Sequence, residues 1–346
     1  MDIISNAPLA ELSTMHLGGQ AAHLATVTTR MELIEALSWA QTNGNLPVIM
    51  LGGGSNVIWR DEGFAGLVII NKIERYEVFE EDADNVYVTA GSGENWDSVV
   101  RRTVEAGYSG IEALSLIPGT AGATPIQNVG AYGQEIGAVL VTVEAFDTQA
   151  GDFVTIPASE CGFGYRQSRF NTTDHGRFYI SGITMHLTRA NLTPPFYAAL
   201  QTYFEENHIA VYTPQVVRDA IIAIRNSKLP DPSVIHNTGS FFANPIVDQD
   251  AIDELQFQYG KLPFWSVGLG TYKLSAAWLI QQSGYKDYHD PETGMATWSA
   301  QPLVLINESA RSTADLLKFK QKIVDGVQAK FKITLVQEPE LLPKKA

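Results

Sequence analysis

The segment Leu51-Gly52-Gly53-Gly54-Ser55-Asn56 limits the possible folds more than any other stretch of this chain. It follows at once on the apolar run 46–51, so a buried strand ends in three glycines that clear the backbone of side chains. Such a turn can aim several N–H groups at one point, as an anion nest does, and it equally serves as plain punctuation; both readings stand. Two architectures lose support at this point. The sixth position from Gly52 is Val57, which breaks the Gly-x-Gly-x-x-Gly fingerprint of a dinucleotide-binding βαβ unit, and no Gly-x-x-x-x-Gly-Lys-Ser/Thr occurs.

A second loop, 117–133, runs Ile-Pro-Gly-Thr-Ala-Gly-Ala-Thr-Pro-Ile-Gln-Asn-Val-Gly-Ala-Tyr-Gly. Long loops inside a compact domain are either functional or disordered, and Ile117, Ile126 and Val129 argue against disorder. Small residues over such a length point to backbone approaching a large flat or phosphate-bearing ligand.

The 346 residues suffice for roughly two domains. Lys+Arg 24 against Asp+Glu 38 leaves a net charge of -14, which repels nucleic acid and anionic lipid surfaces. Apolar runs such as 67–70 and 303–306 fall far short of the roughly 20 residues that span a bilayer. Residues 1–12 carry Asp2 and Glu11 and no basic residue, so no secretory signal is read and a cytoplasmic protein is expected. Cys161 is the only cysteine and reads as a small core residue. The seven histidines are scattered without zinc-ligand spacing, so no metal is expected.

Helical periodicity is expected over 31–43 (Leu33, Ile34, Leu37, Ala40), 95–106 and 248–258, and over 275–281 and 313–330. Thr213 followed by Pro214 predicts a helix start, with Val216, Val217, Ala220, Ile221 and Ile224 on its apolar face. Strands are expected at 46–51, 67–71, 77–79, 85–90, 139–146, 152–157, 177–187, 240–244 and 302–307. The middle group predicts an antiparallel sheet, and 229–232 reads as a domain boundary.

Four further segments carry chemistry. Residues 164–170 set Arg166 and Arg169 among aromatics; an exposed arginine pair is the plain reading, but Tyr165 and Phe170 imply partial burial, where an arginine must find an anion. Arg225 and Lys228, in the last turn before Pro230, suit the helix dipole on their own. Ser240, between Gly239 and two phenylalanines, lacks the Gly-x-Ser-x-Gly setting of a hydrolase nucleophile and reads as the cap of a strand start. Glu338 and Glu340 would share a direction on an extended chain, though a solvated acidic tail has the same pattern.

Taken together, 52–56, 117–133, 164–170, 228–232, 239–245, 273–280 and 338–340 resemble, in order and spacing, the UDP-N-acetylenolpyruvoylglucosamine reductase family over nearly the whole chain. The resemblance implies an α+β protein: a two-subdomain FAD-binding fold of the vanillyl-alcohol-oxidase type plus a smaller α+β substrate domain. It divides the chain into a first FAD-binding subdomain (1–72), a second with a tyrosine loop (73–224) and a substrate domain (225–330), with a C-terminal strand, 331–346, returning to the active site. FAD is the implied cofactor, NADPH the co-substrate and UDP-N-acetylglucosamine enolpyruvate the substrate, reduced to UDP-N-acetylmuramate for peptidoglycan synthesis by a monomer.

Carried over residue by residue, FAD contacts fall on Gly52, Gly53, Gly54, Ser55, Asn56, Pro118, Gly119, Gly122, Ala123, Thr124, Ile126, Gly130, Tyr132 and Arg225. Substrate contacts fall on Tyr165, Tyr197, Lys228, Asn244, Lys273 and Gln301, with Tyr197 closing over the uridine diphosphate and Lys228 meeting it. Arg166 and a protonated Glu340 would polarise the substrate carboxylate, and Ser240 would give a proton to C2 after hydride reaches C3. Two other readings stand beside it: an FAD oxidoreductase of the same fold with another substrate, which the set Arg166, Ser240 and Glu340 disfavours, and a non-catalytic nucleotide-sugar binder, which would retain Lys228 and Tyr197 and lack one of the three.

Overall fold

A computed structural model describes residues 1–344, and the last two residues of the expected C-terminal strand lie outside that range. The chain divides into two compact units. One comprises Met1–Ala7, Ala21–Gly53 and Ala65–Asn226, the other Pro8–Gln20, Gly54–Phe64 and Ser227–Ala346. The short insertions 8–20 and 54–64 therefore group with the C-terminal part, which no composition shift announces.

In the first unit, helices start where side chains can satisfy the free amides of the first turn. Helix α1 (Arg30–Thr42) has a reciprocal box: Glu32 N donates to Thr29 Oγ1 at 3.1 Å, and Thr28 N donates back to Glu32 Oε2 at 2.6 Å. Its buried stripe is Leu33, Ala36 and Ala40; Ile34, expected on that face, is exposed. Helix α2 (Trp96–Glu105) is capped by Asn95, whose Oδ1 accepts from Ser98 N at 2.9 Å. Helix α3 (Ala198–Glu206) was absent from the sequence expectations, and α4 (Pro214–Lys228) begins where Thr213 predicts, with Val216 N donating to Thr213 Oγ1 at 3.2 Å.

A four-stranded sheet has the order Ile3–Pro8, Gln20–Val27, Phe64–Asn71, Val48–Leu51, its last pair parallel with Val48 opposite Leu67. The expected antiparallel sheet has five strands, in the order Asp152–Pro157, Leu140–Asp147, Phe178–Thr188, Asn85–Gly91, Tyr76–Glu80. Trp96, Val99 and Val100 of α2 pack with Val88, Val143 and Ile183 of that sheet, and Cys161 is buried in the same core. Burial raises the Cys161 thiol to about 11, so it stays protonated at neutral pH.

The second unit holds α5 (Gln249–Tyr259), α6 (Ala276–Gln282) and α7 (Thr313–Phe331). Asp61 accepts from the first amides of α7, Thr313 N at 2.7 Å and Ala314 N at 2.9 Å, which ties the 54–64 insertion to that helix. Strands run Asn237–Ser240, Gln301–Asn307, Met295–Trp298, His289–Asp290 in one sheet and Ile246–Asp248, Thr271–Leu274, Phe264–Gly268 in another. The strand expected at 240–244 is displaced, and Ser240 ends a strand instead of opening one. The fully buried Phe241 and Phe242 that suggested a strand belong to the core with Leu279, Leu305, Phe319 and Ile323. Glu340–Leu342 pairs in parallel with Val57–Trp59, so the C-terminus returns beside the end of the 52–56 loop. No helix among the described residues is long and apolar enough to cross a membrane.

Candidate active site

In the first unit, Gly52 and Gly53 leave the strand Val48–Leu51 and run against the start of the 117–133 loop. A Cβ on Gly53 would stand 2.8 Å from the Gly119 Cα, and one on Gly52 would collide with the Thr120 hydroxyl. Only glycine permits that approach. Gly119 cannot retreat, because its carbonyl accepts from Trp96 N at 3.1 Å and Thr120 bridges Asn95 at the start of α2. Two bare backbones thus meet edge to edge, a cradle suited to a phosphate or a flat ring.

The rest of the loop is buttressed by residues that the sequence did not single out. Arg218 of α4, 6% exposed, donates two bonds to Asp97 at 2.7 and 2.8 Å and one to Ser115 Oγ at 2.8 Å. Asp97 also accepts from Leu116 N at 2.5 Å, which fixes the residue just before the loop in a left-handed turn of φ 59°. Burial raises the Asp97 pKa, but Arg218 and the Leu116 amide outweigh it and hold the carboxyl below its usual value. Glu112, wholly buried, accepts from Gly110 N at 2.6 Å, Ser109 Oγ at 3.0 Å and Gln134 Nε2 at 3.0 Å, anchoring the far end of the loop. Arginine and carboxylate types are common on surfaces, so only their burial marks them, and burial is invisible in one sequence.

Ala121, Gly122 and Ala123 form a single helical turn, and Thr124 closes it by donating its hydroxyl to Ala121 O at 2.7 Å. Pro118 is exposed, Ile126 half-buried, and Gly130 pairs with Glu135 in a short hairpin that turns at Tyr132. Tyr132 meets Tyr197 edge to face with centroids 5.8 Å apart. Arg225 of α4 approaches the Tyr132 hydroxyl; its Nε is buried and makes no hydrogen bond among the described residues. Burial pulls that guanidinium below its ordinary pKa while Tyr132 and Asp97 oppose the shift. A half-buried guanidinium whose Nε is buried and without a hydrogen bond among the described residues favours an anion nearby. Tyr132 and Tyr197 are themselves raised by burial, and Tyr165 adds to the shift of Tyr197.

Arg166 lies in a left-handed turn of φ 54°, half-buried, with Nη2 donating to Gly130 O at 3.0 Å and its guanidinium 5.4 Å from the Tyr165 ring centroid. Partial burial, the condition under which this arginine would need an anion, is thus met. Arg169, by contrast, pairs with Asp174 at 2.7 Å. The first unit brings Gly52, Gly53, Pro118–Tyr132, Tyr165, Arg166, Tyr197 and Arg225 into one set of linked segments.

The second unit holds Gly54, Ser55, Asn56, Lys228, Ser240, Asn244, Lys273, Gln301 and Glu340. Gly54 has φ 66° and presses against the Leu12 carbonyl. Asn56 O accepts from Glu340 N at 2.9 Å, which fixes where the Glu340 side chain starts. Residues 241–243 are stitched to the same returning segment: Glu338 N donates to Phe241 O and Ala243 N to Val336 O, each at 2.9 Å. Ser240, exposed at its strand end, precedes that stitch directly. Asn244 spends its Oδ1 on Ala276 N at 2.9 Å, which leaves Nδ2 to donate elsewhere. Gln301 Oε1 accepts from Leu303 N at 3.4 Å, and Lys273 Nζ lies 5.9 Å from the Trp265 ring centroid. Lys228 is exposed. Lys344 Nζ stands 3.0 Å from Glu340 Oε1.

The first unit's cradle suits a phosphate-bearing or flat ligand. A family model described as FAD binding domain matches residues 21–156, and one described as UDP-N-acetylenolpyruvoylglucosamine reductase, C-terminal domain, matches 231–342. The UDP-N-acetylenolpyruvoylglucosamine reductase of Alcanivorax borkumensis is 38% identical over 98% of this chain and 96% of its own. That of Ralstonia nicotianae is 39% identical over 97% and 98%. A crystal structure of UDP-N-acetylenolpyruvylglucosamine reductase from Thermus caldophilus has the same fold, with a TM-score of 0.67 at 23% identity, covering 99% of this chain and 98% of its own. The α+β class and an FAD-binding part followed by a distinct C-terminal domain are thus as the sequence led us to expect.

Proposed function

Because this chain belongs to the UDP-N-acetylenolpyruvoylglucosamine reductase family, we propose that it reduces UDP-N-acetylglucosamine enolpyruvate to UDP-N-acetylmuramate, with NADPH as the electron source, for peptidoglycan precursor synthesis. The observation that carries this reading is full-length identity of 38–39% to reductases of that name, combined with all three candidate catalytic side chains, Arg166, Ser240 and Glu340. The three-part division 1–72, 73–224 and 225–330, with the returning strand, belongs to the same proposal.

FAD would be held by the 52–56 and 117–133 loops and Arg225, and would supply the two-electron chemistry that links NADPH oxidation to reduction of the enolpyruvyl double bond at C3. The chain's own residues handle charge and protons. Arg166, its guanidinium steadied on the Gly130 carbonyl, orients and polarises the substrate carboxylate, where negative charge grows as C3 is reduced. A protonated Glu340 would donate a hydrogen bond to the same carboxylate, the role that the family resemblance implies for it. Ser240 delivers the proton to C2; its exposure lets solvent restore that proton after each turnover. Tyr165, Tyr197, Lys228, Asn244, Lys273 and Gln301 position the nucleotide sugar.

Ser240→Ala tests the assignment. Flavin reduction by NADPH should proceed at the wild-type rate, while reoxidation by the enolpyruvyl substrate slows by about 10²–10⁴-fold, the usual contribution of one general acid. Equal loss in both half-reactions would remove Ser240 from the proton path.

A further inference from the structure

The turn that carries Arg166 is fastened to the 117–133 loop at three alternate loop positions. Ser168 Oγ donates to Ile126 O at 2.6 Å, Asn128 Nδ2 donates to Gly164 O at 3.1 Å, and Arg166 Nη2 donates to Gly130 O at 3.0 Å. The first two bonds sit two residues on either side of Arg166, at Ser168 and Gly164. Between them Gly164 and Gln167 close the turn by exchanging backbone bonds of 2.9 and 3.2 Å.

Both fastening side chains are buried and fully used. Asn128, 2% exposed, is in a left-handed conformation of φ 47°, which asparagine tolerates better than most residues. Its remaining amide hydrogen goes to Glu135 Oε2 at 2.9 Å, and its Oδ1 accepts from Gly137 N at 3.0 Å. Ser168, with no exposed surface, also accepts from Phe170 N at 3.1 Å. A bulky non-glycine residue at positive φ carries local strain, so Arg166 keeps its conformation only while its flanks are held.

We propose that Asn128 and Ser168 are positioning residues that act through Arg166: they set where its guanidinium stands relative to the loop, and hence its grip on a ligand carboxylate. This rests on the proposed role of Arg166. Neither side chain touches the reacting atoms.

The test compares two ligands of the oxidised, FAD-loaded protein by calorimetry: UDP-N-acetylmuramate, which carries the carboxylate, and UDP-N-acetylglucosamine, which does not. Ser168→Ala should weaken the first by about tenfold and leave the second within about twofold. On an Arg166→Gln background the same substitution should change neither ligand, because its intermediary is gone. Asn128→Asp, which replaces two donors with a carboxylate facing Glu135, should follow the same pattern. Equal weakening of both ligands, an additive loss on the Arg166→Gln background, or failure of both variants to fold would overturn the proposal in favour of a purely structural role. A wild-type protein that binds the two ligands equally would instead overturn the assignment of Arg166 on which the proposal rests.

Discussion

Gly53→Ala isolates the feature on which cofactor binding depends. The added Cβ would stand 2.8 Å from the Gly119 Cα, whereas carbon atoms rest at about 3.5–4.0 Å, so the loops must part by about 1 Å. Gly119 is held by Trp96 N and Thr120 by Asn95, so the displacement falls on the 52–54 segment. Gly53 is exposed and does not have the positive φ that alanine avoids. In the apo-protein the exposed residue 53 itself can shift at small cost, and alanine even gains about 0.4–1 kcal/mol from a less flexible unfolded chain. Bound FAD removes that freedom. The overpacking cost of about 1–3 kcal/mol then appears in the binding equilibrium, where each 1.4 kcal/mol is tenfold. The expected result is an apo melting temperature close to wild type and an FAD dissociation constant about 5–150-fold higher, read by fluorescence quenching in a titration of apo-protein. An FAD affinity within twofold of wild type would refute the close-approach argument.

Arg218→Met leaves Asp97 and Ser115 without their buried partner and should cost about 3 kcal/mol, the low end for a broken buried pair because Asp97 is partly exposed. For a unit of this size that is a melting drop of about 6–12 °C in a thermal scan, together with weaker FAD binding through the loosened Leu116. His236 stacks on His16 with centroids 3.9 Å apart, and burial, aided by the His16 charge, lowers its pKa from 6.5. Its neutral form is therefore favoured by folding: the contribution is complete above pH 6.5 and lost as the pH falls from there through the folded value, so His236→Gln should flatten stability between pH 7 and 5 in denaturant titrations. Arg177 donates to both Asp147 oxygens, at 2.9 and 2.6 Å, and holds that carboxyl at about 2 against an ordinary 3.8. That stabilisation is present above 3.8 and lost as the pH falls through 2, so Arg177→Gln should move the acid-unfolding midpoint upward.

Local signals explain which parts of this structure could be read from the sequence. Thr213-Pro214, Asn95 and the 248–258 periodicity place α4, α2 and α5 to within a residue or two, because a cap and a repeat act over one or two turns. The two glycine loops stood out for a similar reason, since chains of small residues are rare where no close approach is needed. What escaped is non-local. Glu340 pairs opposite Val57, Asp61 caps α7, and Arg218 reaches Asp97, each across more than a hundred residues. The strands Ile3–Pro8 and Gln20–Val27 lack the alternation that marks a half-buried strand, and α3 follows two prolines with a mixed, polar sequence. Phe241 and Phe242 misled in the opposite direction, because two adjacent buried aromatics fit a core segment as well as a strand. The roles of Arg166, Ser240 and Glu340 came from family resemblance alone, as nothing local distinguishes them from an exposed arginine, a strand-end serine and an acidic tail.

The most direct test of the proposed reaction is the visible spectrum of the FAD-loaded protein under anaerobic conditions, first with NADPH and then with UDP-N-acetylglucosamine enolpyruvate. Flavin bands should bleach with the first and return with the second, in proportion to UDP-N-acetylmuramate formed. Bands that bleach but do not return would contradict the assigned substrate while leaving a flavoprotein, and a protein that takes up no FAD would contradict the assignment outright.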